Sequence, residues 1–184
     1  MSAVTFDVHY EESRSRLTTF FRFLLIIPHQ IVVALWGFVV QVVTFVQWFI
    51  VLFTGKRNEG IWDLQSSWLG YYARVYAYGN LLFDPYPPFG TDPGSTGVTY
   101  TFERPAEANR LTNALRLIWA IPASLITAVL SFAAFFVVFV SWFAIVITGR
   151  QPRGMFDFIV KVQRYAIRTQ AYSMLMTDTY PRYE

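Results

Sequence analysis

Hydrophobic positions gather in two long blocks, Leu17–Phe53 and Leu111–Ile147, with polar positions crowded on either side of them. Arg22 is the one Lys, Arg, Asp or Glu in the first block, and Arg116 the one in the second. Apolar runs this long and this poor in charge predict membrane-embedded segments. Ahead of the blocks stand "VTFDVHY" (Val4–Tyr10) and "VTYTFER" (Val98–Arg104). Both alternate apolar and polar residues, which predicts short strands over 4–10 and 98–104. Behind the blocks, 60–83 and 154–177 read as amphipathic helices lying at the membrane interface. Trp62, Trp68, Tyr72 and Tyr76 suit the headgroup region there.

The pattern occurs twice because the chain repeats itself. "TGKRNEGIWD" (Thr54–Asp63) returns as "TGRQPRGMFD" (Thr148–Asp157). With an offset of 94 residues, 16–87 falls on 110–181 without a gap, and 25 of the 72 positions are identical. The matches include Arg22 with Arg116, Pro28 with Pro122, Gly55 with Gly149, Asp63 with Asp157, Arg74 with Arg168 and Tyr78 with Tyr172. Chance likeness between two greasy segments would match Leu and Val instead, so the reading is a tandem duplication. The first repeat is 1–90, with strand 4–10, membrane block 17–54 and helix 60–83. A turn-rich linker, 91–97, follows. The second repeat is 98–184, with strand 98–104, block 111–148 and helix 154–177.

A straight helix over the 37 residues of the first block would be about 55 Å long. The hydrocarbon core is only about 30 Å thick. Two arrangements remain. In a hairpin, each block enters and leaves on one side, bending near Trp36-Gly37 and near Leu130-Ser131. In an elbow, residues up to Ile27 lie along the interface and Pro28 begins a single crossing that ends at Phe53. The hairpin keeps every basic flank (Arg14, Arg16, Lys56, Arg57, Arg110, Arg150, Arg153) on one face, and the positive-inside tendency favours it on that ground. The fold expected is mainly α and integral to the membrane. Each tandem repeat would hold a short strand, a transmembrane or re-entrant helical hairpin and an amphipathic interfacial helix.

Composition sharpens this. Hydrophobic residues make up 54% of the chain and charged residues 15%, well below the roughly 25% charged usual in soluble domains. The net charge of +3 comes from bases beside the apolar blocks, a placement for anionic lipid. There is no compact basic cluster elsewhere, so nucleic acid is not an expected partner. The absence of cysteine excludes disulfides, iron–sulfur clusters and thiolate zinc sites. The N-terminus is polar and mixed in charge, so the first block is expected to serve as its own insertion signal.

The order Ile-Pro, Trp-Phe, "TGK/R…G..D", Arg, Ala-Tyr and "D.YP" resembles a bacterial membrane-protein family known as domain of unknown function 4389. The resemblance covers Arg16–Phe89 and Arg110–Tyr183. The first repeat departs from it at "KRNEG", where members more often carry a proline, as the second repeat does at Pro152. The resemblance implies the bacterial inner membrane; the positive-inside tendency, with the hairpin, makes the basic flanks and both termini cytoplasmic as an expectation. It supplies no catalytic residue.

Chemistry is sparse. His9 and His29 have no ligand-spaced partner. No phosphate-binding Gly loop or nucleophile elbow appears. No catalytic, metal or cofactor-binding residues are therefore assigned, and no enzyme activity is expected. Arg22, Lys56, Arg57, Arg74, Arg116, Arg150, Arg153 and Arg168 are expected to contact lipid headgroups or a partner. Pro28, Pro122, Gly55, Gly149, Asp63, Asp157, Tyr78 and Tyr172 are expected to be structural. Gln41, Thr44 and Gln47 form a polar stripe, either pore-lining or bonding to a neighbouring helix. The expected function is an accessory or scaffolding subunit of a larger membrane complex, or a bilayer-shaping element. Its partners would be lipids, other membrane subunits or itself. A small oligomeric channel or transporter component is the alternative.

Overall fold

The computed structural model describes residues 4–105 and 107–183. Its elements run β1 (Val4–Val8), α1 (Arg16–Leu25), α2 (Ile27–Thr54), α3 (Glu59–Gly79), β2 (Val98–Phe102), α4 (Arg110–Ala114), α5 (Arg116–Thr148) and α6 (Arg153–Ser173). The protein is mainly helical, and its two repeats carry the same elements in the same order. The strands are shorter than the alternation predicts, and each pairs with its copy. β1 and β2 form an antiparallel ribbon centred on Phe6 opposite Tyr100. These two residues are themselves equivalent under the 94-residue offset.

Side-chain caps set several helix starts. Ser15, Asn58 and Asn109 each accept from the backbone N–H three residues on, satisfying one of the free donors of the first turn. Gly55 and Gly149 end the long helices at φ +72° and +73°.

The hairpin expected within each block is absent. α2 runs unbroken through Trp36-Gly37 and α5 through Leu130-Ser131. Gly37 does not bend the chain but lets another helix approach: a Cβ there would lie 3.1 Å from the Trp68 ring. The backbone does break near the start of each block, as in the elbow arrangement, but at different places. In the first repeat the break is Ile26, and Pro28 occupies the first turn of α2, where its missing N–H costs nothing. In the second repeat the break is Leu115, and Pro122 lies inside α5.

α3 and α6 are not free interfacial helices. Each returns antiparallel along its own long helix. His29 Nδ1 meets Tyr71 Oη at 2.6 Å, the Trp68 indole donates to the Val33 carbonyl at 3.1 Å, and Gln65 donates to Thr44 Oγ1 at 2.8 Å. In the second repeat Thr127 meets Thr169 at 3.1 Å, and Gln151 donates to Ser141 at 3.1 Å. α3 and α6 also touch each other, Gln163 donating to the Ala73 carbonyl at 2.8 Å. The ribbon lies over their opposite side: Arg164 and Arg168 donate to the carbonyls of Phe6 and Val4, and Arg74 donates to the Tyr100 hydroxyl. The result is three layers: the long helices, then α3 with α6, then the ribbon. The core of Leu69, Tyr71, Ala73, Val75, Ala77, Tyr78, Ile159, Ile167 and Ala171 fills the middle one.

Candidate functional site

The most distinctive surface is the outer face of α1, α2, α4 and α5. On α2, Ile27, Ile31, Leu35, Phe38, Val42, Phe45, Phe49 and Phe53 are exposed, a helical stripe of large apolar side chains. On α5 the exposed set widens to include Leu117, Leu125, Val129, Phe132, Phe136, Phe139, Phe143 and Ile147. Soluble monomers rarely expose contiguous apolar patches beyond a few hundred Å². α2 and α5 are both long and apolar enough to cross a membrane, and only 22% and 17% of their most apolar windows are buried. Helices at the centre of a soluble core would be mostly covered.

The ends of this face are closed by a lock that occurs twice. Arg22 reaches Asp84 at 2.7 Å and donates to the carbonyls of Tyr78 and Phe83. Its guanidinium lies 4.3 Å from the centre of the Tyr78 ring. Arg116 reaches Asp178 at 2.5 Å and the Thr177 carbonyl at 3.0 Å, and lies 4.0 Å from the centre of the Tyr172 ring. Each aspartate also takes a backbone N–H, from Ser15 and Asn109 respectively. An arginine with a carboxylate, carbonyls and an aromatic face can be buried without a free charge. Arg22 and Arg116 are 2% and 1% exposed, so they do not reach headgroups as the sequence suggests.

The two locks differ in how their second arginine is held. Asp178 also binds Arg57 at 2.7 Å, so it serves two guanidinium groups. Burial alone would push its carboxyl up, but the Asn109 N–H together with Arg57 and Arg116 outweighs this and holds it below the usual carboxylate range. In the other lock the second cation is Arg14. It is buried, donates to the Leu82 carbonyl at 2.8 Å, and lies 5.8 Å from the centre of the Phe156 ring. Burial lowers its pKa, against the attraction of Asp84.

The remaining expected contacts divide. Lys56, Arg150 and Arg153 are exposed; Arg153 pairs with Asp157 at 3.7 Å and lies over the Tyr10 ring. Arg74 and Arg168 are buried and hold the ribbon, so they too belong to the fold. Asp63 and Asp157 lie exposed, each the fifth residue of its helix, α3 and α6. Tyr78 and Tyr172 are the ring faces of the locks. Thr44 and Gln47 are buried: Thr44 bonds Val40 and Gln65, and Gln47 accepts from the Asn58 N–H. Only Gln41 of that stripe reaches the surface. His29 is buried against Tyr71 and stacked on Phe89 at 4.2 Å, pinning the end of the first repeat to α2. Among the described residues no group of three His, Asp or Glu could hold a metal ion.

Asp84 and Asp178 are lock residues to which sequence reasoning gave no role, and Arg14, read there as a basic flank, is buried instead. The signal for the aspartates was present: each follows its arginine by 62 residues in both repeats.

Neither the curated proteins nor the solved structures offer a match to the chain. A family model does. It is described as a domain of unknown function, DUF4389, and it matches residues 16–90 and again 110–183, so the chain belongs to that family and carries two tandem copies of its domain.

Proposed function

We propose that this protein is a non-enzymatic integral membrane component that shapes the bilayer or seats a partner subunit within a larger membrane assembly. The family resemblance makes the bacterial inner membrane its expected home. One observation carries the reading: the long helices present a continuous apolar face to the outside of the chain. Covering that face with lipid hydrocarbon removes the cost of holding it in water, about 25 cal/mol for each Å². The interior polar groups do not suggest a reaction, because they are spent on holding helices together. The pore alternative depends on the Gln41–Thr44–Gln47 stripe, and two of its three members are bonded inside the chain.

The test is fractionation followed by purification. The protein should remain with the membrane pellet through alkaline carbonate and leave it only with detergent. Recovery in the soluble fraction would end the reading. Gentle detergent purification should then return either a stoichiometric partner or a species that tubulates liposomes, and a homo-oligomer that conducts ions would shift the assignment to the channel.

A further inference from the structure

The two repeats clasp each other through matched contacts. The Arg14 N–H donates to the Gly149 carbonyl at the end of α5, and the Ala108 N–H donates to the Gly55 carbonyl at the end of α2. The Trp48 indole donates to the Asn113 carbonyl, and the Trp142 indole donates to the Thr19 carbonyl. Each contact maps onto its partner by the 94-residue offset. An interface in which i meets j and j meets i is that of a two-fold axis. The start of each block therefore lies beside the end of the other, so α2 and α5 run antiparallel and the axis is perpendicular to them. The axis also passes through the ribbon centre, where equivalent Phe6 and Tyr100 face each other. It therefore runs through the three layers in turn.

This geometry is a poor match to helices that cross the bilayer. The ribbon lies over the middle of α3 and α6, against Gly70 and Arg74 on one and Arg164 and Arg168 on the other. With α2 and α5 upright, its exposed Thr5, Asp7, Thr99 and Thr101 would stand at the depth of the bilayer centre, where polar groups are costly. The 33 residues of α5 would also extend about 50 Å, against a hydrocarbon thickness of about 30 Å. Laid flat, both difficulties vanish. A helix layer about 10 Å thick fits within one leaflet. The exposed bases Arg16, Lys56, Arg110 and Arg150 then rim both ends of the apolar face at the level of the phosphates.

Building on the membrane reading above, we infer that the protein is monotopic. Its apolar layer lies in the plane of one leaflet of an anionic phospholipid bilayer, the pseudo-two-fold axis stands along the bilayer normal, and the ribbon faces water. A wedge confined to one leaflet expands that leaflet alone, which is a physical route to curvature.

The chain has no cysteine, so single cysteines can be placed without background. Lys56→Cys and Arg150→Cys mark the ends of α2 and α5, and Thr5→Cys marks the ribbon. In sealed membrane vesicles of known orientation, a membrane-impermeant maleimide should label all three from the same side, with only background labelling from the other. Labelling of positions 56 and 150 from opposite sides would overturn the monotopic arrangement while leaving membrane residence intact. So would protection of Thr5→Cys until detergent is added. Release of the protein by alkaline carbonate would instead remove the membrane reading itself. Each variant is first checked for detergent extraction as a monodisperse species, and Arg16→Cys with Arg110→Cys gives an independent second pair at the opposite ends of the two blocks.

Discussion

Arg14 and Gly149 are joined by a backbone hydrogen bond of 2.9 Å, from just ahead of the first apolar block to just past the second. Its equivalent, Ala108 to Gly55, measures 3.0 Å. The repeats are thus not beads on a string. Each completes the other, with α1 along the end of α5 and α4 along the end of α2.

Half-chains should therefore find each other. Fragment 1–97 expressed alone is expected to form a homodimer, since the face it offers is nearly the complement of itself. Co-expressed with 98–184 it should instead form the heterodimer and restore the native detergent-purified species. Size-exclusion chromatography with light scattering reads this. A stable monomeric half would show that the interlock contributes little.

The two locks should not be equally sensitive. Asp178→Asn leaves Arg57 and Arg116 buried without their carboxylate, whereas Asp84→Asn strips one direct ion pair, from Arg22. Removing one partner of a buried pair costs about 3 kcal/mol or more. Asp178→Asn is expected to lower the thermal midpoint in detergent more than Asp84→Asn, measured side by side.

Acid should act through the same residue. The Asp178 carboxyl is held below its usual range in the folded state. A depressed carboxylate contributes stability above the unfolded pKa, about 3.9, and that contribution is lost as pH falls through the folded value. The midpoint of the wild type should fall below about pH 4, and Asp178→Asn should lack that part of the fall. Equal acid slopes in the two proteins would remove Asp178 as the cause.

Gly55 and Gly149 occupy left-handed backbone at the ends of the long helices. A Cβ would meet the Arg110 and Arg16 Nε atoms at 3.0 and 3.1 Å. Gly55→Ala and Gly149→Ala are each expected to cost about 1–2 kcal/mol, mostly backbone strain. Gly55→Asn should cost less, because asparagine tolerates this conformation. Thermal midpoints of the three variants give the order.

Much of this architecture was legible in the sequence, and the gaps have physical causes. The duplication survived reading because Arg, Asp, Gly and Pro recur in register, and the strands because Val4, Phe6 and Val8 alternate with Thr5 and Asp7. The helix through Trp36-Gly37 was misread as a bend because a glycine can either break a helix or admit a neighbour, and Trp68 decides which. Arg22 and Arg116 were assigned to lipid because local sequence shows a charge in an apolar run but not a carboxylate 62 residues on. Leu81 and Leu175 gave no local sign at all. They take φ of +64° and +65° at the ends of α3 and α6, where glycine is usual. The bonds from Leu82 to Ala77 and from Met176 to Ala171 close the turn. Both leucines are buried, so packing offsets a backbone cost of about 1–2 kcal/mol.

Gly70 gives the sharpest test of the ribbon layer. Its repeat equivalent is Arg164, which donates to the Phe6 carbonyl at 2.8 Å. Gly70 instead faces Tyr100, the equivalent of Phe6, and a Cβ would lie 2.6–2.7 Å from its ring and hydroxyl. That ring cannot yield freely, since its hydroxyl is held by Arg74 at 2.6 Å. Gly70→Ala is therefore expected to cost about 1–3 kcal/mol as overpacking and to lift β2 from α3. The clash needs the ring, so Gly70→Ala in a Tyr100→Leu background should add little to the cost of Tyr100→Leu alone. A double-mutant cycle on thermal unfolding in detergent measures that coupling. Additive losses would mean that the ribbon does not rest on Gly70.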